Sequence, residues 1–302
     1  MSSPDDTGTV RTIAGLAELS DRYDAILCDI WGVLHDGMAA FPAASDALVA
    51  YRRRGGTVVL ITNAPRPSPP IVRQLARLGV APEAFDAVAT SGDVTIGLIA
   101  ERIGEPVLHI GPPRDLSLFE AAGEAAGRAP RLVALGDAGY ALCTGLRDDV
   151  TETVDDYDAE LHAMAARGMA FICANPDIVI HRGDSLIACA GALAARYEAL
   201  GGEVVYAGKP YLPIYRRALA LAEAARGRPL DARRVLAVGD GMKTDIAGAA
   251  RAGLDALLVT HGIHRAALHG EALDEPASAE TLERLCREFG LRPVAAIGAL
   301  KG

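Results

Sequence analysis

The sequence predicts an α/β fold with a parallel-sheet core and a large inserted α/β domain. Three observations predict it. Short apolar, β-branched runs alternate with Ala-, Leu- and Arg-rich runs of helical length, the order expected where helices cover a parallel sheet. Four segments, Asp29–Gly37, Ile61–Ala64, Gly208–Pro210 and Val238–Asp245, each sit at or near the end of an apolar run. Their polar residues therefore fall at strand ends, where open α/β sheets bind ligands. The stretch 91–202 holds its own complement of strands and helices, as an inserted domain would.

In order, Ala25–Ile30 (A-I-L-C-D-I) is the first strand, apolar except at its functional end. Ala43–Arg54 reads as a helix stopped by Gly55 and Gly56. Thr57–Thr62 is rich in β-branched residues and reads as a strand. Ser68 then caps a helix running to Gly79, with Pro69 and Pro70 in its first turn, where missing N–H groups cost nothing. Beyond Thr90 come strands Val107–Ile110, Leu132–Leu135 and Tyr140–Thr144, helix Tyr157–Arg167 and strand Ala170–Cys173. A long helix, Leu186–Leu200, ends at Gly201-Gly202. The core resumes with strand Val204–Tyr206, helix Pro213–Arg226, strand Val235–Val238, helix Thr244–Arg251 closed by Gly253, and strand Ala256–Thr260. The expected limits are a tail and lead-in helix over 1–22, a discontinuous core over 23–90 and 203–302, and the insertion over 91–202.

The 302 residues suffice for two domains, each with a core. A formal net charge of −9 argues against nucleic acid, whose phosphates reward basic faces. A small phosphorylated metabolite needs only local positive charge, so it stays open as a partner. No run of apolar residues is long enough for a membrane span, and the polar first nine residues lack the pattern of a signal peptide. The five cysteines are scattered, without metal-ligand spacing. A reduced, cytoplasmic protein is the expectation.

The four segments carry the chemistry. Asp29, at the end of a buried strand, has the place of a nucleophile, a metal ligand or both; alone it would equally suit a loop cap. Gly32 lets the backbone approach a ligand closely. Asp240, between Gly239 and Gly241, ends a strand, and Asp245 comes five residues later at a helix start, where capping is the plainer role. With Asp29 these two carboxylates would make a hard oxygen site suited to Mg²⁺. Lys209, between Gly208 and Pro210, can face a phosphate or the carboxylates. Thr62 and Asn63 add a hydroxyl and an amide at a strand end, which ordinary turn chemistry would also explain.

Together the four segments resemble the four motifs of the haloacid dehalogenase superfamily, over nearly all of the chain from Tyr23 to His261. Their spacing is similar to that of subclass IIA, the branch of p-nitrophenyl phosphate, pyridoxal phosphate and sugar-phosphate phosphatases. The resemblance implies a Rossmann-like core with a large α/β cap between the second and third motifs. It implies Asp29 as nucleophile and Mg²⁺ ligand, the Trp31 backbone carbonyl as a further ligand, and Asp240 and Asp245 completing the metal site. Thr62 and Lys209 would hold the phosphate, and A-N-P-D at Ala174–Asp177 resembles a cap segment that puts Asn175 and Asp177 near the substrate. Large caps in the branch also allow a homodimer.

One departure is specific. Phosphatases of the superfamily carry Asp two residues after the nucleophile, as general acid and base; here that residue is Trp31, and an indole cannot transfer the proton. Such assistance is worth ~10²–10⁴ in rate. His35 or Asp36 could substitute, or both could merely shape the turn before Gly37. Otherwise the substrate has a leaving group that needs no proton. The leading expectation is a Mg²⁺-dependent phosphohydrolase working through an aspartyl-phosphate on Asp29. The alternatives are a dehalogenase-like hydrolase, whose relatives also place an aromatic residue at that position, and a catalytically impaired phosphate-binding or regulatory protein.

Overall fold

The computed structural model describes residues 9–182, 185–269 and 277–302. Its strands, in chain order, are β1 (Ala25–Asp29), β2 (Thr57–Thr62), β3 (Ala87–Thr90), β4 (Pro106–Ile110), β5 (Arg131–Leu132), β6 (Tyr140–Cys143) and β7 (Ala170–Cys173). Next come β8 (Val179–Arg182), β9 (Ser185–Ala188), β10 (Val204–Tyr206), β11 (Val235–Gly239), β12 (Asp255–Val259) and β13 (Ala295–Ile297). The chain divides into two compact units. Met1–Ile61, Leu75–Ala87 and Ala218–Gly302 form the first; Thr62–Gln74 and Val88–Arg217 form the second.

In the first unit the strands run β13-β12-β11-β1-β2, parallel throughout. β1 and β11 are buried along their whole length, as their unbroken apolar sequence requires of strands covered on both faces. The register sets Cys28 opposite Val238 and Asp29 opposite Ile61. Asp29 thereby closes β1 at its carboxyl end, and Asp240 lies one residue beyond β11. Residues 1–8 of the expected tail lie outside the described residues. The chain between Val10 and Leu19 packs into the core: Val10, Ile13, Leu16 and Leu19 are buried, and the Ile13 N–H donates to the Ala296 carbonyl at 2.9 Å beside β13.

The second unit holds a parallel sheet in the order β10-β7-β6-β4-β5 and an antiparallel hairpin, β8-β9. Its core gathers Phe171, Leu161, Leu193 and Tyr197, with the Phe171 and Tyr197 rings stacked at 5.2 Å. Helix Ser91–Glu101 opens on a reciprocal cap: the Asp93 N–H donates to Thr90 Oγ1 at 2.8 Å, and the Thr90 N–H to Asp93 Oδ2. Two otherwise orphaned donors are satisfied there.

Several expectations change. Val204–Tyr206, expected in the core sheet, instead pairs with Ala170–Cys173; three residues carry too little pattern to choose between sheets. The helix expected from Leu186 starts at Ala190, because Ser185–Ala188 returns as a strand against Val179–Arg182. Leu132–Leu135 keeps only Leu132 in a strand before a short helical turn at Leu135–Asp137. The helix expected from Thr244 begins earlier, as a wide π turn over Met242–Ile246, and continues as Ala247–Ala252. Among the described residues no helix is long and apolar enough to cross a membrane.

Candidate active site

The first unit brings three carboxylates together. Asp29, Asp240 and Asp245 are all buried, and each offers an oxygen within 4.8 Å of the others. Each is also anchored by the backbone. Asp29 Oδ1 accepts the Ile30 N–H at 2.7 Å, Asp240 Oδ2 the Ile263 N–H at 2.8 Å, and Asp245 Oδ2 the Gly241 N–H at 3.1 Å. The π turn explains the last contact, since it draws Asp245 back over the strand end instead of carrying it away on a helix. Turns of this kind recur at functional sites. Asp245 thus caps its turn and faces the other two carboxylates at once.

Gly32 adjoins this cluster. Its φ of +74° suits glycine, and a Cβ there would run into the Asp240 carboxylate. Sequence reading singled out Gly32 for close approach to a ligand; in the structure the close approach is to Asp240. Three buried carboxylates so near one another repel and are costly without a compensating cation. All the donors are hard oxygens, which fits Mg²⁺ or another hard divalent ion. The donor set therefore fits the metal that the motifs imply.

The loop after Asp29 is built around Trp31. Its indole lies over Gly37, where φ is +92° and a Cβ would come within 2.7 Å of the ring. Trp31 is 43% exposed, and its ring stands edge-to-face with the His35 imidazole, centroids 4.7 Å apart. His35 is buried, and its Nδ1 accepts the Gly37 N–H at 3.0 Å. Burial also holds its pKa below the usual histidine range. Asp36 accepts the N–H groups of Met38 and Ala39 at 2.8 and 2.9 Å, and these bonds lower its pKa. Both residues that sequence offered as substitutes for the missing acid thus make hydrogen bonds within the turn.

The second unit brings together the remaining candidates. Thr62, Asn63, Asn175 and Lys209 are buried. Asn63 is the joint between them. Its amide NH₂ donates to the Lys209 carbonyl at 3.1 Å and to Asp177 Oδ1 at 2.9 Å, while its Oδ1 accepts the Lys209 N–H at 2.6 Å. Asn175 Oδ1 accepts the Asp177 N–H at 3.1 Å, which folds the A-N-P-D turn. Thr62 Oγ1 accepts the Ala64 N–H at 3.3 Å, leaving its proton available to donate. Sequence reading took the Asn63 side chain toward phosphate, yet its donors and acceptor all meet protein here.

Two features had no sequence signal. The backbone at Ile263, far along the chain, steadies Asp240. Asp115 and Thr144 join Asn175 in the wall of a cavity in the second unit. An N–H contact and the burial of one acid among many leave no mark on residue type or spacing.

Family models described as haloacid dehalogenase-like hydrolase and HAD-hydrolase-like match residues 26–125 and 206–285. A solved hydrolase of the haloacid dehalogenase-like family from Brucella suis is 44% identical, with 95% of this chain and 99% of that one covered and a TM-score of 0.81. The ribonucleotide monophosphatase NagD of Escherichia coli is 29% identical over 79% of this chain and 88% of its own length. The D-glycerol 3-phosphate phosphatase of Mycobacterium tuberculosis is 29% identical over 86% of this chain and 70% of its own.

Proposed function

Because the chain belongs to the haloacid dehalogenase-like hydrolases, in subclass IIA, and is a phosphatase of that family, we propose a Mg²⁺-dependent phosphohydrolase that works through an aspartyl-phosphate on Asp29. Its substrate is a small phosphorylated metabolite, in keeping with relatives named for ribonucleotide monophosphates and D-glycerol 3-phosphate. The buried trio of Asp29, Asp240 and Asp245 is the observation that carries the reading. It also weakens the dehalogenase reading, because a carboxylate-rich site has no use in displacing halide and repels a carboxylate substrate.

In this mechanism Asp240 and Asp245, with an oxygen of Asp29 and, as the resemblance implies, the Trp31 carbonyl, would hold Mg²⁺. When bound, the ion offsets negative charge on the carboxylates and the phosphoryl group. Lys209 and Thr62 would hold phosphoryl oxygens, and Asn63 fixes the Lys209 backbone. Asp29 attacks phosphorus, the bond to the leaving oxygen breaks, and an acyl phosphate forms. Water then hydrolyses it, releasing phosphate and restoring the Asp29 carboxylate. Trp31 provides no proton, and His35 and Asp36 are held in their turn, so the leaving oxygen departs as its anion. Phosphates of acidic alcohols, aryl and acyl phosphates are accordingly favoured.

We further propose residues 23–90 and 203–302 as the catalytic core and 91–202 as the cap, although Lys209 and Thr62 pack in the same compact unit as the insertion. The five cysteines are all free and buried, which supports a cytoplasmic setting. Trp31 is the observation that favours a second reading, a non-catalytic phosphate-binding protein.

Phosphate release from p-nitrophenyl phosphate and glycerol phosphate separates these readings. Turnover of the aryl ester with Mg²⁺ is expected, with the alkyl ester ~10²–10⁴ slower, and both lost in Asp29→Asn or with chelator. Activity that survives Asp29→Asn would overturn the mechanism. Binding of phosphate without turnover of any ester would favour the second reading.

A further inference from the structure

One short stretch of the first unit reaches the carboxylate trio from two sides. Gly262 lies so close to Asp240 that a Cβ there would strike its carboxylate. The next residue, Ile263, donates its N–H to Asp240 Oδ2 at 2.8 Å. His264 follows, and its side chain turns to the other acidic segment, where Nε2 accepts the Met242 N–H at 3.2 Å. Met242 is fully buried and opens the π turn that carries Asp245. Residues 262–264 thus bond both Asp240 and the start of the turn that aims Asp245.

The imidazole is held in the state this contact needs. A ring nitrogen that accepts an N–H carries no proton, so His264 is neutral, with its proton on Nδ1. Burial keeps its pKa below the usual histidine range; Lys243 adds to the effect and Glu288 opposes it. The ring stands edge-to-face with Phe289, centroids 5.7 Å apart. The His264 carbonyl accepts the Leu268 N–H at 3.0 Å, so ring and backbone are both anchored.

The contact matters because of what competes for that N–H. The first N–H groups of a helical turn have no partner inside it. Here the Gly241 N–H goes to Asp245 Oδ2, which also accepts from Thr244 Oγ1, both at 3.1 Å. The Met242 N–H goes to His264 instead. A donor buried without an acceptor is costly, and the Asp245 carboxylate is the acceptor that the same turn offers. Without His264 the Met242 N–H therefore draws Asp245 toward itself and away from Asp29 and Asp240. We propose that His264 is a positioning residue: by accepting the Met242 N–H it leaves Asp245 facing the other two carboxylates, and so sets the affinity of the trio for a divalent cation. The proposal rests on the Mg²⁺ reading above, which gives His264 no part.

Isothermal titration calorimetry with Mg²⁺ tests it on the full chain, in wild type, His264→Phe and His264→Gln. Phe keeps a ring against Phe289 and removes the acceptor. Gln gives up the ring and offers Oε1 near the place of Nε2. The Mg²⁺ Kd is expected to rise about tenfold or more in His264→Phe and to stay within about threefold of wild type in His264→Gln. Turnover of p-nitrophenyl phosphate by His264→Phe is expected to recover as Mg²⁺ is raised. A role in packing alone predicts the reverse order, since Phe retains the ring contact and Gln loses it. That order, or the same Kd in all three proteins, overturns the proposal while the metal site stands. Should His264→Phe fail to fold by circular dichroism, His264→Leu takes its place, with the same expected loss and Gln still the rescue. Wild-type protein that binds no Mg²⁺ overturns the metal reading and this proposal together.

Discussion

At position 31 an indole occupies the place where the resemblance leads one to expect a carboxylate, and the neighbouring residues pack around it. Gly37 leaves the space that the ring covers, and His35 stands edge-to-face with the ring while accepting the Gly37 N–H. Trp31 is therefore part of a built turn. Restoring the acid tests what that turn replaced. In Trp31→Asp, hydrolysis of glycerol phosphate relative to p-nitrophenyl phosphate is expected to rise, by up to ~10²–10⁴ if the new carboxyl reaches the leaving oxygen. The ratio of kcat values measures it; an unchanged ratio would mean that the lost proton is not what limits alkyl esters. The absence of the acid was legible from the sequence once the resemblance had placed the nucleophile at Asp29. The engagement of His35 and Asp36 was not, because residue type does not say which way a side chain turns.

Elements differ in how plainly the sequence announces them. β1, β2 and β11 are unbroken apolar or β-branched runs, and the structure has them within a residue of their expected bounds. β8 and β9 escaped because Leu186–Ala188 continues smoothly into the apolar helix after it, and its pairing with Val179–Arg182 is a non-local choice. β10 was read correctly as a strand and assigned to the wrong sheet. The π turn at Met242–Ile246 looks in sequence like the first turn of a helix, yet it is what aims Asp245.

Between elements, Asn63 joins the end of β2 to the loop after β10 and to the A-N-P-D turn through three side-chain hydrogen bonds. Asn63→Ala removes all three and takes the side-chain partner from buried backbone groups of Lys209. KM for p-nitrophenyl phosphate is expected to rise about tenfold or more, with a lower melting temperature. A residue that only touched phosphate would raise KM and leave the melting temperature of the ligand-free protein alone.

For the molecule as a whole, buried like charge gathers at the carboxylate trio, and a cation that binds the folded state alone relieves the repulsion. If the proposed Mg²⁺ site binds, the ion at a hundred times its Kd is expected to contribute about 2.7 kcal/mol of stability, a rise of roughly 5–10 °C in melting temperature for a domain of ~150–250 residues. Differential scanning calorimetry with Mg²⁺ and with EDTA measures the rise, and Asp245→Asn should abolish most of it. Equal melting temperatures in both buffers would remove the metal from the site.

The sequence by itself determined the fold class, the family and the order of the four motifs. It did so because a parallel strand buried on both faces must be written as an apolar run, and chemistry at its end must be written as a polar break. It also determined that Trp31 cannot act as an acid. Only the tertiary structure decided that Asp245 turns back toward Asp29 and Asp240, that Asn63 spends its hydrogen bonds on Lys209 and Asp177, and that Asp115 and Asn175 meet in one cavity. Those outcomes depend on residues far apart in the chain arriving together. Spacing encodes which groups lie at a strand end, but not their distances or their partners.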